Sequence, residues 1–193
     1  MRKRSRTVAL AIVGAASFAL AGCQEEEVDA QAFPDRESCH QAAQSGGMFS
    51  DAECDKAFAE AEALHVESAP RYDSRAVCEE QHGEGACGTE AQATNGGGSG
   101  SIFMPLLAGY LIGNMLGGRG MSAAQPLYRS SDGKFTNAAR TSTYSSNSGR
   151  AKMGRSMFTK PAATAGKAPM TRATATSRGG FGTSAGSRSG FGG

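Results

Sequence analysis

The sequence predicts a mostly disordered chain around a small, disulfide-stapled α-helical domain, with one short apolar glycine-repeat helix and a short β-hairpin. Three observations lead to this fold class. Four cysteines lie in one acidic segment with helix signals, a glycine-rich linker follows, and the last third of the 193 residues is mostly Ser, Thr, Ala, Gly, Lys and Arg. A segment so poor in apolar residues buries too little surface to fold.

The first 22 residues have the pattern of an export signal. Cations crowd the start, an apolar stretch runs from Val8 to Ala21, and Leu20-Ala21-Gly22 precedes Cys23. This stretch is too short to span a bilayer stably, so residues 1–22 are predicted to be a cleaved signal peptide. A cysteine directly after the small residues is typical of lipoproteins. We therefore expect Cys23 to carry acyl chains such as palmitate and to anchor the protein to a membrane.

The residue after Cys23, Gln24, indicates which membrane would hold the lipid anchor. In a Gram-negative envelope, Asp directly after the lipidated cysteine is the usual signal for retention in the inner membrane. Gln24 stands there instead. The sequence therefore favours the periplasmic face of the outer membrane over the inner membrane.

Charge divides the chain into an acidic front and a basic back. Residues 23–90 carry 17 acidic and four basic side chains, whereas residues 91–193 carry one acidic and 12 basic ones. Three interpretations stay open: each half binds a partner of opposite sign, the two halves meet each other, or both are simply solvated.

The cysteines other than Cys23 predict two disulfides. Cys39, Cys54, Cys78 and Cys87 are an even number in one short window, and an exported protein meets an oxidising compartment. Of the three pairings, Cys39–Cys54 and Cys78–Cys87 are favoured because both close short loops. Each would stabilise the domain by about 3 kcal/mol.

The segment that contains these cysteines, residues 33–88, is predicted to be the helical domain, after an acidic tether at residues 23–32. Phe33-Pro34-Asp35 starts a first helix, and Ser50 with Glu53 forms a capping box for a second. Pro70 ends the second helix, and Ser74 caps a third.

A glycine-rich linker at residues 89–100 leads to an apolar segment at residues 101–120. Gly109, Gly113 and Gly117 stand four apart, which would place them on one face of a helix and allow close helix contact. The apolar run is too short to span a bilayer. It would enter or lie on the bilayer, form a self-association surface or another protein contact, or pack against the protein's own domain.

The rest of the chain is predicted to be a hairpin and a tail. Ser131-Asp132-Gly133 is a plausible turn between two short strands, within residues 121–137. The basic tail, residues 138–193, is predicted to be disordered. Its Arg-Gly-Gly-Phe sequences resemble nucleic-acid-binding tails, but export favours an anionic envelope polymer or lipid as partner and excludes nucleic acid.

No catalytic residue, metal site or cofactor is predicted. Cys78, His82 and Cys87 match no standard zinc spacing, and disulfide formation explains the cysteines more simply. Phosphate-binding loops, nucleophile elbows and Cys-x-x-Cys redox motifs are not found in the sequence. The sequence therefore favours a protein that is not an enzyme.

Several segments together resemble the YgiB-type family of uncharacterised proteobacterial lipoproteins, which contain a domain of unknown function. They are Leu20-Ala21-Gly22-Cys23, Ala69-Pro70-Arg71-Tyr72, Gly83-Glu84-Gly85-Ala86-Cys87, the block from Phe103 to Tyr110, Gln125-Pro126-Leu127-Tyr128 and Arg178-Gly179-Gly180-Phe181-Gly182. The resemblance implies a pathway neighbourhood with an ATP-grasp ligase similar to glutathionylspermidine synthases. It supplies no catalytic residue.

The leading functional hypothesis is a membrane-anchored envelope lipoprotein that acts as a non-enzymatic adaptor or structural factor. The alternative is an accessory or binding partner of a neighbouring ATP-grasp peptide-ligase system. A third hypothesis is a thiol-redox protein that uses one of the cysteine pairs.

Overall fold

The computed structural model describes residues 26–94, 96, 98–114 and 123–177, which form a β-sheet half-barrel with helices packed against one face. The six strands pair antiparallel in the spatial order β7-β6-β5-β4-β1-β8. They are β1 (Glu27–Phe33), β4 (Leu107–Gly113), β5 (Ala124–Arg129), β6 (Phe135–Asn137), β7 (Thr143–Tyr144) and β8 (Gly149–Gly154). A separate two-stranded sheet pairs β2 (Cys87–Thr89) with β3 (Phe103–Pro105).

Three helices begin where the sequence predicts them, after Asp35, Ser50 and Ser74, whereas two more lie in the segments predicted to be a linker and a disordered tail. The helices are α1 (Arg36–Gln44), α2 (Asp51–Ser68), α3 (Arg75–His82), α4 (Glu90–Ala93) and α5 (Arg172–Ser177), with a 3-10 helix at Arg155–Phe158. The capping box of α2 is present: the Ser50 amide donates to the Glu53 carboxylate over 2.8 Å, and the Glu53 amide donates back to the Ser50 hydroxyl. These bonds satisfy amides that the first helical turn leaves without partners.

The prediction of a mostly disordered chain with a small helical domain is wrong. The acidic segment assigned to a tether forms β1 in the interior of the sheet, between β4 and β8. The segment assigned to a disordered tail supplies β7, β8, the 3-10 helix and α5. Low hydrophobicity misled the prediction, because strands that pair with strands from distant segments satisfy their backbone groups without being strongly apolar themselves.

The predicted glycine-repeat helix is also wrong, because Gly109 and Gly113 lie in strand β4. Side chains alternate along this strand: Tyr110 and Ile112 pack under the helices, whereas Leu111 packs on the opposite face of the sheet. A spacing of four places residues on one side of a strand as well as on one side of a helix. Gly117 lies outside the described residues.

The two glycines are required by close contacts in the sheet. Gly109 has a φ of +144°, and a Cβ atom built there would lie 2.7 Å from the Phe33 carbonyl oxygen. A Cβ on Gly113 would lie 2.6 Å from the nearest carbon of the Phe158 ring. The glycine spacing therefore reflects packing within one domain and not a contact between helices.

The acidic and basic halves of the chain meet in the fold. Glu26 pairs with Arg155 over 2.7 Å, and Glu67 pairs with Lys160 over 2.9 Å. Glu80 likewise pairs with Arg172. These exposed pairs each contribute little to stability. They nevertheless favour the interpretation that the two halves of the chain are each other's partners.

The turn predicted at residues 131–133 joins β5 to β6, which pair antiparallel. Beyond this hairpin the sheet continues through β7, and the chain then reaches the other edge of the sheet at β8 through residues 145–148 alone. So short a connection requires the two edge strands to lie near each other, as a half-barrel allows. Among the described residues, no helix is both long and apolar enough to cross a bilayer.

Candidate functional site

The structure forms the two disulfides that the short loops favour. Cys39 on α1 pairs with Cys54 on α2, and Cys78 on α3 pairs with Cys87 on β2. All four cysteines are buried. The disulfides predicted from the cysteine count are therefore present, whereas Cys23 lies outside the described residues.

A cavity of about 470 Å³ lies between the end of α2, the loop after β6 and the segment of residues 161–170. Among the described residues, its lining includes three cations and no carboxylate, together with small and apolar side chains. The lining residues are Ser68, Pro70, Arg71, Ala138, Ala139, Arg140, Pro161, Ala162, Thr164, Lys167, Ala168 and Met170. We call this cavity the basic pocket.

Arg71 fixes one wall of the basic pocket. Its Nε donates to the Glu90 carboxylate over 2.6 Å, and Nη2 donates to the Val66 carbonyl over 2.7 Å. Nη1 donates to the Ala69 carbonyl and to the Thr164 hydroxyl. The side chain is only 4% exposed, so a buried ion pair joins the end of α2 to α4 and to the segment beyond residue 160.

That segment is pinned across the pocket by backbone hydrogen bonds. The Thr164 amide donates to the Glu67 carbonyl over 2.8 Å, and the Met170 amide donates to the Arg71 carbonyl over 2.7 Å. The Asp73 amide in turn donates to the Met170 carbonyl. Residues that the sequence assigned to a disordered tail therefore form one side of the pocket.

Arg140 has an unusual backbone conformation at the pocket. Its φ is +59°, in the left-handed region that residues other than glycine rarely adopt. The Arg140 amide donates to the Asn137 carbonyl, and Nη2 donates over 2.9 Å to Oε1 of the buried Gln81 on α3. Such strain costs about 1–3 kcal/mol and persists only where surrounding contacts hold it.

A buried histidine–tyrosine network lies close to the two arginines. His65 Nδ1 lies 3.1 Å from the Tyr128 hydroxyl, and His82 Nε2 lies 2.9 Å from the Tyr72 hydroxyl. The other ring nitrogens face carbonyl oxygens, His65 Nε2 that of Ala93 and His82 Nδ1 that of Arg129. All four side chains are at most 4% exposed.

The carbonyl contacts assign the histidine tautomers. A carbonyl only accepts, so His65 carries its proton on Nε2 and His82 carries its proton on Nδ1. The opposite nitrogen of each ring is then an acceptor, and Tyr128 and Tyr72 donate to it. The two neutral rings are opposite tautomers, and protonation of either would cancel its hydrogen bond from tyrosine.

Burial keeps these rings neutral. Desolvation lowers the pKa of His82 to about 4 and lowers that of His65, and the charges of Arg140 and Arg71 respectively add to these effects. Desolvation also raises the pKa of Tyr72 to about 12 and raises that of Tyr128. The network is thus a set of uncharged hydrogen bonds that supports α2, α3 and β5.

Sequence reasoning missed this site. In the sequence, His82 stands out only as a possible zinc ligand beside Cys78 and Cys87, and in the described part of the chain no three His, Cys, Asp or Glu side chains come together as metal ligands would. Tyr72 and Tyr128 lie in two of the six segments that carry the family resemblance, and this resemblance was a usable signal. Arg140 and Lys167 had no signal, because they belong to a segment without recognisable secondary-structure pattern.

Comparisons with known proteins identify the family. A family model described as "Protein of unknown function (DUF1190)" matches residues 27–192. A UPF0441 protein of Erwinia tasmaniensis is 37% identical over 191 residues, covering 92% of this chain and 79% of the relative. A UPF0441 protein of Klebsiella pneumoniae is 38% identical over 92% of this chain and 79% of its own length.

A third relative, a UPF0441 protein of Yersinia pestis, is 35% identical over 201 residues, which cover 94% of this chain and 81% of the relative. No solved structure matches the chain. The narrower identification as a YgiB-type lipoprotein stays a prediction. The family match extends over both disulfides, the sheet and the basic pocket, and the chain therefore belongs to the DUF1190 family of uncharacterised proteins.

Proposed function

We propose that this protein is a non-enzymatic adaptor of the bacterial envelope, anchored by acyl chains on Cys23 and presenting its folded domain directly at the membrane surface. The observation that carries the proposal is the position of β1, which begins at Glu27. Only residues 24–26 separate the lipidation motif from this strand. A fully extended chain covers about 3.3–3.6 Å per residue, so the domain would lie within roughly 15 Å of the anchor.

The disulfides support a compartment outside the cytoplasm. Disulfides persist in oxidising compartments and are rare where glutathione and thioredoxin keep thiols reduced. Cys39–Cys54 and Cys78–Cys87 are both buried and join separate elements of secondary structure. This arrangement is typical of structural disulfides and disfavours the thiol-redox hypothesis, which needs an accessible sulfur.

The state of the histidines argues against their use as general bases. A general base must reach its substrate and have a pKa near the working pH. His65 and His82 are buried, both of their ring nitrogens are engaged, and their pKa values are lowered. Their chemistry is that of structural polar groups.

Replacing Cys23 by Ala tests the anchor. We expect the variant to remain an uncleaved precursor without acyl chains, because the thiol is the group that accepts the lipid. Metabolic labelling with palmitate and separation of the envelope membranes give the readouts. Gln24→Asp is the matched variant: it should keep the label and move the protein to the inner membrane. Normal acylation of Cys23→Ala would contradict the proposal.

Affinity capture of the tagged protein from solubilised envelopes separates the adaptor from its alternative. A stable stoichiometric complex with an ATP-grasp ligase would favour the accessory role that the family resemblance implies. A complex with envelope proteins that lack such a ligase would favour the adaptor role.

A further inference from the structure

Strand β8 forms one edge of the six-stranded sheet and leaves a row of backbone groups open. Among the described strands, it pairs with β1 alone. Just beyond this ladder, the Arg155 amide donates to the Glu26 carbonyl over 2.8 Å. Hydrogen-bonded pairs alternate along an antiparallel ladder, so Arg150 and Lys152 direct their amides and carbonyls away from β1. We call these outward groups the β8 edge.

The two residues that open the β8 edge also carry its charge. Arg150 lies opposite the neutral Gln31, whose Oε1 accepts a hydrogen bond from the Arg150 Nε over 3.3 Å. Lys152 lies opposite Asp29. Both cations are exposed, and neither forms an ion pair with a described residue. Alternate residues of a strand share one face, so a strand added at this edge would meet both cations on the same face.

The opposite face of β8 borders a cavity of about 320 Å³ that extends to β7, the strand at the other edge of the half-barrel. Its lining includes Ala32 and Leu111 of the apolar cluster on that face, Ala151 and Met153 of β8, and Tyr144 of β7. Hydroxyl side chains also line it. A strand added along β8 would place every second side chain over this cavity, where a small apolar group would be covered.

A second copy of the chain does not suit this edge. An antiparallel pairing of two β8 edges centred on Ala151 would set Arg150 opposite Lys152 of the second copy, and like charges directly opposite each other destabilise a sheet. The chain's own remaining segments do not suit it either. Residues 115–122 and 178–193 contain cations and no Asp or Glu.

β1 shows which sequence β8 accepts on its other side. Its polar side chains, Glu27, Asp29 and Gln31, share the face of the two cations, and Val28, Ala30 and Ala32 alternate with them. β8 therefore already pairs with one strand in which acidic and small apolar residues alternate.

We propose that the β8 edge binds an extended, acidic segment of a partner protein, which adds a strand to the half-barrel. Two acidic residues of this segment, two positions apart, exchange backbone hydrogen bonds with Arg150 and Lys152 and pair with their side chains. The residue between them is small and apolar and lies over the cavity beside Ala151. This proposal rests on the adaptor role, because it names the chemistry of the partner that the adaptor binds.

Fluorescence anisotropy of labelled peptides, titrated with the full mature protein in detergent, tests the proposal. The probe is acetyl-Ser-Glu-Val-Glu-Val-Ser-amide, and in the control peptide Lys replaces both Glu residues. We expect the Glu peptide to bind at least about tenfold more tightly than the Lys peptide, because two attractions become two repulsions.

Methylation of the peptide backbone separates strand pairing from simple charge attraction. N-methyl groups on the two Glu residues remove the donors that face β8 and should weaken binding at least about tenfold. N-methyl groups on the two Val residues, whose amides point away from β8, should leave binding nearly unchanged. Equal binding of the two methylated peptides would overturn the proposal.

Variants of the two cations place the binding at the β8 edge. Arg150→Gln and Lys152→Gln should each weaken the Glu peptide about threefold, and the double variant about tenfold. Both side chains are exposed, so the variants should fold. The matched control is Lys134→Gln, whose amine pairs with Asp132 in the turn between β5 and β6, and it should bind as the wild type does. An equal loss in this control would contradict the assignment.

The other possible occupants of the edge each have a distinct result, and each would overturn the proposal. Displacement of the Glu peptide by a synthetic peptide of residues 178–193 would identify the chain's own tail. A dimer that the Glu peptide dissociates, detected by sedimentation, would identify a second copy. No binding of either peptide would leave Arg150 and Lys152 as charges that protect an edge strand against aggregation.

The β8 edge and the adaptor role can fail separately. An envelope partner that the Arg150→Gln/Lys152→Gln variant captures as well as the wild type does would overturn binding at the edge and keep the adaptor role. Binding of the Glu peptide without capture of any envelope partner would keep the edge and overturn the adaptor role.

Discussion

The two disulfides lie beside two cores of opposite chemical character. The apolar core adjoins Cys39–Cys54 and packs Phe49, Ala57 and Tyr110 between α2 and the sheet; the Phe58 and Tyr110 rings meet edge to face with centroids 5.4 Å apart. The polar core, near Cys78–Cys87, consists of the four side chains of the histidine–tyrosine network, and Arg71 binds beside it.

The difference between the cores predicts how each responds to change. Apolar packing is non-directional and roughly proportional to buried area, so it is insensitive to pH. A buried hydrogen-bond network fails when one partner is lost, because the group left behind has neither water nor protein to bond. The basic pocket adjoins the polar core, so side chains near the pocket should be the sensitive ones.

Arg71→Met should have the largest effect. The variant leaves the Glu90 carboxylate, whose side chain is 12% exposed, without its cation, and it removes donors from two carbonyls at the end of α2. We expect a loss of about 3–5 kcal/mol in the free energy of unfolding, measured by urea denaturation.

Arg36→Met is the control from the side of the apolar core. Arg36 contacts Asp55 at 4.0 Å with both side chains more than half exposed, so its loss should be below about 1 kcal/mol. If the two variants lose the same stability, the contrast between the two cores is wrong.

The second-largest effect should come from acidification, which should destabilise the polar core and leave the apolar core unaffected. Burial disfavours the charged form of His82 and lowers its pKa to about 4 in the folded state. Between pH 6.5 and 4, His82 is therefore protonated in the unfolded chain and neutral in the folded one. Stability is intact above pH 6.5 and falls toward pH 4, by about 3 kcal/mol from this residue.

His82→Gln isolates this contribution, because glutamine offers a donor and an acceptor but does not titrate. Unfolding of the wild type and of this variant, measured across pH 4–7, should give a difference in stability that shrinks as the pH falls. A difference that stays constant with pH would show that His82 does not titrate in this way.

Gly113→Ala should have the smallest effect and acts outside the polar core. The added methyl group would meet the Phe158 ring, with the nearest carbon 2.6 Å away, and the ring would have to move. We expect a loss of about 1–3 kcal/mol without pH dependence, measured as the shift in the urea midpoint. Gly100→Ala is the control, because nothing lies within 4 Å of the position of its Cβ. Equal effects would remove the argument for close packing at Gly113.

Local signals in the sequence predicted the local structure. The caps at Ser50 and Ser74 and the two short cysteine loops depend on residues a few positions apart, and the structure contains them. The sheet was missed because its pairs are distant: Ala30 is opposite Gly113, and Glu27 is opposite Gly154. Nothing in either segment alone identifies its partner.

The basic pocket was missed for a similar reason. Arg71, Arg140 and Lys167 come from three segments that only the fold brings together. Lys and Arg residues in a Ser/Thr/Ala-rich segment are typical of a solvated tail. In the structure, the backbone hydrogen bonds of Thr164 and Met170 hold this segment against the end of α2. The division into an acidic and a basic half did point to contacts between distant segments. Ion pairs such as Glu67–Lys160 are contacts of this kind.

The interior position of β1 has a consequence for the order of folding. This strand is the first to leave the ribosome and, on the proposed route, the first to cross the membrane. Its neighbours β4 and β8 are synthesised much later, and loop closure over such distances is slow. The two disulfides close much shorter loops, so their cysteines can meet as soon as each loop has been synthesised. We expect oxidation of the local cysteine pairs to precede assembly of the sheet, and β1 to lack its second neighbour until residues 149–154 have arrived.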